Sequence, residues 1–482
     1  MCCQTLNKKI IACQKFSVLA FRFHLLFLIP LFTYKTCAAQ ILDSVKTGNL
    51  TNTAEEYWPK PSVSSSFLAK MKHLELNKSR GWVTLGVNLR EGHEYFDNYL
   101  WGIGEQDPNG FSQHRAIISG DFRWNRHLRF FTEIQSGFIS GRRGGARPVQ
   151  DLNELVINQA FLEATLWKSD KFASAIRIGK QALSYGSGSL LDLRDINVRR
   201  NYYGYKLVIK THHERLDAFY MNPSNARTGM FDDKIDWKDH IAGLWYSHAN
   251  NATRTLKIKT DFYYLYLHRD NFRYNQAVGN EDRHTVGMLS QLDFGNWTNY
   301  LEGDLQAGRF GGAKIRAWKL MESIFYSAKS LPLKPSIGFQ SAISSGDNNP
   351  TDNKLGTFSP LFPRGIYYGF IDNAGSANLI LFHPKCDLEL SSKLFLSLSY
   401  YRFWRFKRQD ALYSTPGSFL FGAENTSRYV GWMGDAVGRY NFNSNLNFSL
   451  ITSYYKRGDF LLQTPITKGN IFYFGLKANF II

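Results

Sequence analysis

Cysteine is almost absent from most of this chain of 482 residues. Four of the five cysteines, Cys2, Cys3, Cys13 and Cys37, lie in the first 39 residues, so only Cys386 remains beyond that segment. One cysteine excludes an intramolecular disulfide, even in the oxidising compartment to which exported proteins go. The fold beyond residue 39 must therefore be held together without cross-links.

Long apolar runs and proline are also scarce. No apolar run reaches the ~20 residues that a membrane-spanning helix needs, and the chain holds only 14 prolines. These features argue against a helical membrane protein. Aromatic residues, in contrast, make up 15% of the chain. Such an excess is typical of transmembrane barrels, whose strands end in aromatic girdles at both membrane interfaces.

The N-terminal segment has the pattern of a secretory signal. Several basic residues, the last of them Arg22, precede the apolar run 25–32, and the small residues Ala38 and Ala39 follow. A charged region, a short apolar run and a small-residue site are the three parts of a signal peptide. A retained membrane anchor is the alternative, but Arg22 and His24 leave its apolar run too short. We predict a signal peptide over 1–39, an N-terminal periplasmic segment over 40–80 and an outer-membrane barrel over 81–482.

Short stretches of alternating apolar and polar residues repeat from residue 81 to the C-terminus. In the last of them one face holds Phe472, Phe474, Leu476, Ala478 and Phe480, and the other holds Tyr473, Gly475, Lys477 and Asn479. Successive side chains of a strand point to opposite faces of the sheet. No second sheet or helix pattern is available to cover the apolar faces. Lipid is the partner that remains for them.

The connections between these stretches alternate between short and mostly longer ones. Short connections are expected at 125–127, 168–171, 212–214, 250–254, 295–296, 329–333, 391–393 and 441–445. The others are expected at 92–112, 141–153, 184–202, 223–240, 268–284, 309–312, 345–378, 407–428 and 457–468. Bacterial barrels have an even number of strands, short periplasmic turns and longer outer loops. We therefore predict an all-β fold: a transmembrane antiparallel up-and-down β-barrel of about eighteen strands, in the outer membrane of a Gram-negative-type cell.

The chain carries a formal net charge of +18. A basic excess of this size predicts an anionic partner. The compartment disfavours nucleic acid and leaves outer-membrane lipid, lipopolysaccharide or an acidic solute. Arginines on the polar faces of the strands could line an anion-selective pore, or they could pair with acids in ladders that brace the wall. The pore candidates from this alternation are Arg123, Arg129, Arg177 and Arg405.

The most distinctive sequence lies between residues 151 and 232. It contains Ile178-Gly179-Lys180-Gln181, Tyr185-Gly186-Ser187-Gly188 and Arg194-Asp195-Ile196-Asn197-Val198-Arg199-Arg200. Later pieces are Ser345-Gly346-Asp347, Leu361-Phe362-Pro363 and Phe403-Trp404-Arg405. In this order and spacing, the pieces resemble the alginate-export family of outer-membrane porins over most of residues 81–482. One departure is Lys180, where the family usually has arginine.

The resemblance implies a monomeric porin of eighteen strands, without cofactor or metal. An acidic polysaccharide, such as an alginate-like polyuronate, would leave the cell through its arginine-rich constriction. The resemblance also allows for a periplasmic export scaffold as a partner. Lys180, Arg194, Arg199 and Arg200 match basic positions of the family. Replacing Arg199 and Arg200 by glutamate is then expected to lower anion selectivity. The alternative is that Asp192 and Asp195 pair with these arginines and only hold their loop.

The sequence leaves two other functions open. The first is a general or nutrient-uptake porin with an anion preference. The second is an outer-membrane enzyme, but the twelve histidines show no nucleophile-elbow or metal-ligand spacing, so we predict no enzymatic activity. Aromatic residues at the lumen, among them Tyr185, Tyr202 and Tyr203, could offer ring faces to a sugar.

Overall fold

The computed structural model describes residues 73–76, 81–125, 127–147, 149–250, 253, 255–371, 373–423 and 425–482. The predicted signal peptide, 1–39, lies outside the described residues. So does the predicted periplasmic segment, 40–80, except for 73–76.

Almost all regular structure in the described residues is strand. In chain order the elements are β1 (His73–Leu76), β2 (Gly81–Asp97), α1 (Tyr99–Gly102), β3 (Phe111–Trp124), β4 (Leu128–Ser140), β5 (Asn153–Lys168), β6 (Phe172–Gln181), β7 (Tyr202–Thr211), β8 (Glu214–Asn225), β9 (Lys234–Ile235), β10 (His240–Asn250), β11 (Leu256–Arg273), β12 (Val278–Phe294), β13 (Trp297–Phe310), β14 (Ala313–Ser327), β15 (Ser336–Ser344), β16 (Lys354–Leu355), β17 (Leu379–Glu389), β18 (Leu394–Arg405), β19 (Leu412–Tyr413), β20 (Phe419–Phe421), β21 (Tyr429–Asn441), β22 (Leu446–Arg457), α2 (Asp459–Leu462) and β23 (Ile471–Ile481). Neither described helix is long and apolar enough to cross a membrane.

Eighteen of these strands form one closed antiparallel barrel. The other five, β1, β9, β16, β19 and β20, have two to four residues each. Each wall strand pairs with its neighbours along the chain, and the ring closes where β2 pairs with β23, from Asn88 opposite Ile481 to Asp97 opposite Phe472. Closure leaves the wall without an edge strand, which a barrel in lipid requires. The predicted up-and-down barrel is confirmed.

The eight predicted tight turns all separate wall strands, but one predicted long connection is wrong. Residues 268–284 were expected to form an outer loop, whereas β11 continues to Arg273 and β12 begins at Val278. Polar residues there pair across the two strands, with His268 Nδ1 at 2.8 Å from Asp282 and Arg269 at 2.6 Å from Glu281. These cross-strand pairs let the ladder continue through a polar sequence that resembles a loop.

The wall strands place apolar side chains outward and polar ones inward, as the alternation predicts. Leu450 is 46% exposed on the outer face of β22, whereas Tyr473, next to the exposed Phe472 on β23, is 1% exposed. Many charged wall residues, among them Arg177, Glu281 and Lys319, are buried and face the lumen. Lipid therefore covers the apolar face of the barrel.

We expect Leu450→Lys to destabilise the barrel by about 2–4 kcal/mol, because a lysine near the bilayer midplane is poorly solvated. Urea unfolding of the barrel in liposomes measures this change. A matched control is Leu462→Lys in α2, where an exposed leucine lies outside the strands and the change should stay within about 0.5 kcal/mol. Equal stability of the two variants would contradict the assignment of the lipid face.

Candidate functional site

Two of the outer connections fold into the lumen. We call 182–201, between β6 and β7, and 345–378, between β15 and β17, the inner loops. Their side chains reach lumen-facing residues on widely separated strands. Asp195 contacts Arg115 of β3, and Ser189 contacts Glu302 of β13. The backbone N–H of Phe370 donates to Asp435 of β21. Any solute must pass beside these loops.

The inner loops join each other inside the barrel. The N–H of Asp192 donates to the carbonyl of Phe362 over 2.9 Å, and the N–H of Phe362 donates to the carbonyl of Leu190 over 2.8 Å. Gly188 takes part in this contact, because its carbonyl accepts a hydrogen bond from the N–H of Arg364 over 2.8 Å. Its φ of +77° lies in the left-handed region that favours glycine. The Tyr-Gly-Ser-Gly piece thus provides a close crossing of two backbones.

One side of the first inner loop rests on an apolar patch of the wall. The ring of Tyr185 stacks on Phe219 and Trp245, with centroid distances of 5.5 and 4.9 Å. Its hydroxyl donates to Asp217 over 2.8 Å. Tyr202 is fully buried. Both tyrosines take part in the packing, and the expectation of a ring face for a sugar is wrong for Tyr202, which has no exposed surface. Tyr185 and Tyr203 are half-buried, and for them the expectation stays a prediction.

The other side of this loop is held by ion pairs around Asp195. Its carboxylate lies 2.6 Å from Arg90, 2.7 Å from Arg115 and 2.9 Å from Arg199. Arg199 also reaches Glu133 at 3.4 Å. Burial alone would raise the pKa of Asp195, but the charges of Arg115, Arg90 and Arg199 hold that pKa well below its ordinary value. The carboxylate thus stays ionised and fastens the loop to β2 and β3.

A second set of ion pairs braces the wall on β3 to β6. Asp121 pairs with Arg123 at 2.9 Å and with Arg129 at 2.8 Å. Glu163 pairs with Arg177 at 2.7 Å and lies 3.7 Å from Arg129. The structure therefore places three of the pore candidates in a cross-strand ladder with two carboxylates.

A basic cluster lies where the inner loops meet. It consists of Arg194, Arg200 and Arg364, all half-buried, around the single carboxylate of Asp192. Arg364 is 3.5 Å from that carboxylate and its side chain is 43% exposed. Arg200 donates to the carbonyls of Asp192 and Pro363 over 3.4 and 3.2 Å. Of the three guanidinium groups, only that of Arg364 pairs with the Asp192 carboxylate.

Arg194 completes the basic cluster. Its guanidinium donates to the carbonyls of Val149 and Val198. Burial and the neighbouring charge of Arg200 lower the pKa of Arg194. Within the described part of the chain, neither Arg194 nor Arg200 forms an ion pair with a carboxylate. An anion in this place would meet two cations whose charges are not neutralised, which favours its binding.

The other two candidates fasten outer loops. Lys180 pairs with Asp233 at 3.2 Å, in the connection between β8 and β10. Arg405 is fully buried and donates to several backbone carbonyls, including those of Asp410 at 2.7 Å and Asn425 at 2.9 Å. It also stacks on the ring of Phe460 at 4.0 Å.

Sequence reasoning missed Arg364 as a site residue. It directly follows Leu361-Phe362-Pro363, a piece of the family resemblance, but it was not among the basic residues that the resemblance indicated. Its position 164 residues after Arg200 gave no sign that the two side chains lie together. The second inner loop brings Arg364 next to Arg200 inside the lumen.

The closed eighteen-stranded barrel with loops folded into its lumen defines a porin-type channel of the outer membrane. Solved porins share the fold. The chain matches Pseudomonas aeruginosa OpdK, solved with vanillate, with a TM-score of 0.54 and 12% identity, covering 83% of this chain and 98% of that one. A BenF-like porin from Pseudomonas fluorescens Pf-5 matches with a TM-score of 0.55 and 11% identity over the same shares.

The chain belongs to the alginate export family, whose model matches residues 81–473. A search of curated proteins gave no significant match. The family and the fold together make the protein an outer-membrane channel.

Proposed function

We propose that this channel passes an anionic polysaccharide of the alginate-like polyuronate type out of the cell, along the basic cluster. The supporting observation is that Arg194 and Arg200 contact carbonyl oxygens and form no carboxylate ion pair in the described residues. With Arg364 they place three guanidinium groups around one acid, at the junction of the two inner loops.

The chemistry suits passage of a polymer. A uronate carboxylate can replace the backbone carbonyls as the hydrogen-bond acceptor of Arg200, because those contacts are weak. No covalent bond of the protein or the solute changes. Conduction requires sites that attract a solute and still release it. A cluster held by carbonyls at 3.2 to 3.4 Å fits this requirement better than the tightly paired arginines of the Asp195 group. Family membership supports the polyuronate and the outward direction.

The second candidate is an anion-preferring uptake porin. The observation in its favour is the likeness to solved porins, one of which was solved with vanillate, a small carboxylate. The same basic cluster would then attract a small acid.

Planar bilayers test the proposal. With a salt gradient, the reversal potential of the purified channel should show anion preference. Added oligouronates should block the current, and longer chains should block at lower concentrations because more carboxylates meet the cluster at once. Cation preference would contradict both candidates. If a small carboxylate passes and the length of the oligouronates has no effect on block, the result would favour the uptake porin.

A further inference from the structure

A group of basic side chains lies on the outer face of the barrel, away from the lumen. Arg309 near the end of β13 and Lys314 and Arg316 at the start of β14 are all exposed. Arg309 lies directly opposite Lys314 in the ladder, and Arg316 lies opposite Ala307. We call these three residues the rim cluster. Directly opposed like charges destabilise a sheet, so the wall by itself gives no reason for this arrangement.

The acidic residue opposite Arg309 already has other hydrogen-bond partners. Asp282 is opposite Arg309 on β12, but its carboxylate accepts hydrogen bonds from Tyr266 over 2.7 Å and from His268 over 2.8 Å. None of the three rim cations has an ion pair with any acid that the structure describes. Lys354, which is exposed and adjacent to Lys314 in the pairing of β16 with β14, adds a further positive charge.

The rim cluster lies at the depth of lipid headgroups. Trp318 and Tyr326 are exposed on the same face of β14 as Arg316. Their separation along the strand is roughly 26 Å. The ~40° tilt of barrel strands reduces it to about 20 Å along the membrane normal, within the ~25 Å apolar band that aromatic residues border. Tyr326 is next to a short periplasmic turn, so Trp318 marks the outer border. Arg316 is the first outward residue beyond it.

The surface around the cluster is open to lipid. Only Gly311 and Gly312 connect β13 to β14, so this connection is too short to cover the cations. Directly below the cluster the outer face is apolar as far as Glu322, with Leu305 69% exposed and Leu320 50% exposed. A molecule that carries acyl chains and anionic groups at their polar end would satisfy both parts of the surface.

We propose that Arg309, Lys314 and Arg316 form a binding site for the phosphate groups of lipid A, the phosphorylated glycolipid of the outer leaflet. Its acyl chains lie along Leu305 and Leu320, and its phosphates lie between the three cations. This site is separate from the channel and does not depend on which solute the channel passes.

Native mass spectrometry of the full chain in detergent tests the proposal, with bisphosphorylated lipid A and dephosphorylated lipid A as probes. The triple variant Arg309→Gln, Lys314→Gln, Arg316→Gln should bind bisphosphorylated lipid A roughly 100-fold more weakly. Each cation near anionic lipid contributes about 1 kcal/mol, and about 1.4 kcal/mol corresponds to a tenfold change in affinity. The wild-type chain should bind the dephosphorylated probe as weakly as the variant does.

A matched control removes the same charge elsewhere. This second triple variant replaces three exposed cations of outer loops by glutamine, at Arg143, Arg408 and Lys468. It should leave lipid A binding unchanged. Equal weakening by both triple variants would overturn the proposal, because it would show general attraction to a basic protein. Equal binding of the two probes to the wild-type chain would also overturn it. If the triple variant does not fold, Arg316→Gln alone should weaken binding roughly fivefold, and no change there would count against the site.

Discussion

Replacing Arg200 and Arg364 together by glutamate should lower the anion preference of the channel by roughly tenfold or more. The two substitutions turn a cluster with three cations and one acid into one with a single cation and three acids. In a narrow passage bordered by protein, such a reversal changes the local potential much more than it would in bulk water. The ratio of anion to cation permeability, obtained from reversal potentials in a planar bilayer, measures the effect.

The matched control is Arg143→Glu with Arg408→Glu, which reverses two exposed charges in outer loops outside the basic cluster. This variant should change selectivity only slightly, because solvent and salt screen charges that are exposed and distant from the path. If both double variants insert normally and the one in the basic cluster keeps wild-type selectivity, the anion path does not pass Arg200 and Arg364.

Asp195→Asn should release the first inner loop on one side and leave the barrel intact. Arg90 and Arg115 would then lose the carboxylate that they pair with, and Arg199 would keep only Glu133. Removing one partner of a buried ion pair costs about 3–5 kcal/mol. The wall strands do not depend on this contact, because their ladders are complete without it. We expect amides of 184–201 to exchange much faster with deuterium, and single-channel current to become larger and noisier.

Asp170→Asn, in an exposed periplasmic turn, is the control for this substitution and should change neither property. Mild acid should not reproduce the effect of Asp195→Asn. The pKa of Asp195 is held well below its ordinary value of 3.8, so the stabilisation it provides is present above that value and is lost only as the pH falls through the lowered pKa. A loop that opens already near pH 5 would contradict the role given to this carboxylate.

The adjacent arginines 199 and 200 show where sequence reasoning reached its limit. Both were expected to act as a pair in the anion path. In the structure, Arg199 is 7% exposed and joins the ion pairs of Asp195 and Glu133, whereas Arg200 turns to the second inner loop and Phe362. The alternative, that an aspartate pairs with these arginines and holds their loop, applies to Arg199 and Asp195. A single-residue comparison of Arg199→Gln with Arg200→Gln therefore separates loop fastening from the anion path.

The wall of this protein can be predicted from its amino-acid sequence. Alternation along each strand is a local property with a period of two residues, so the number of strands, their two faces and the tight turns can be predicted without knowing which strands are neighbours. The partners of the charged side chains depend instead on tertiary contacts. An ion pair depends on which groups the closed ring and its folded-in loops bring within a few ångströms, and these groups come from distant parts of the chain, as with Arg90 and Asp195 or Arg200 and Pro363.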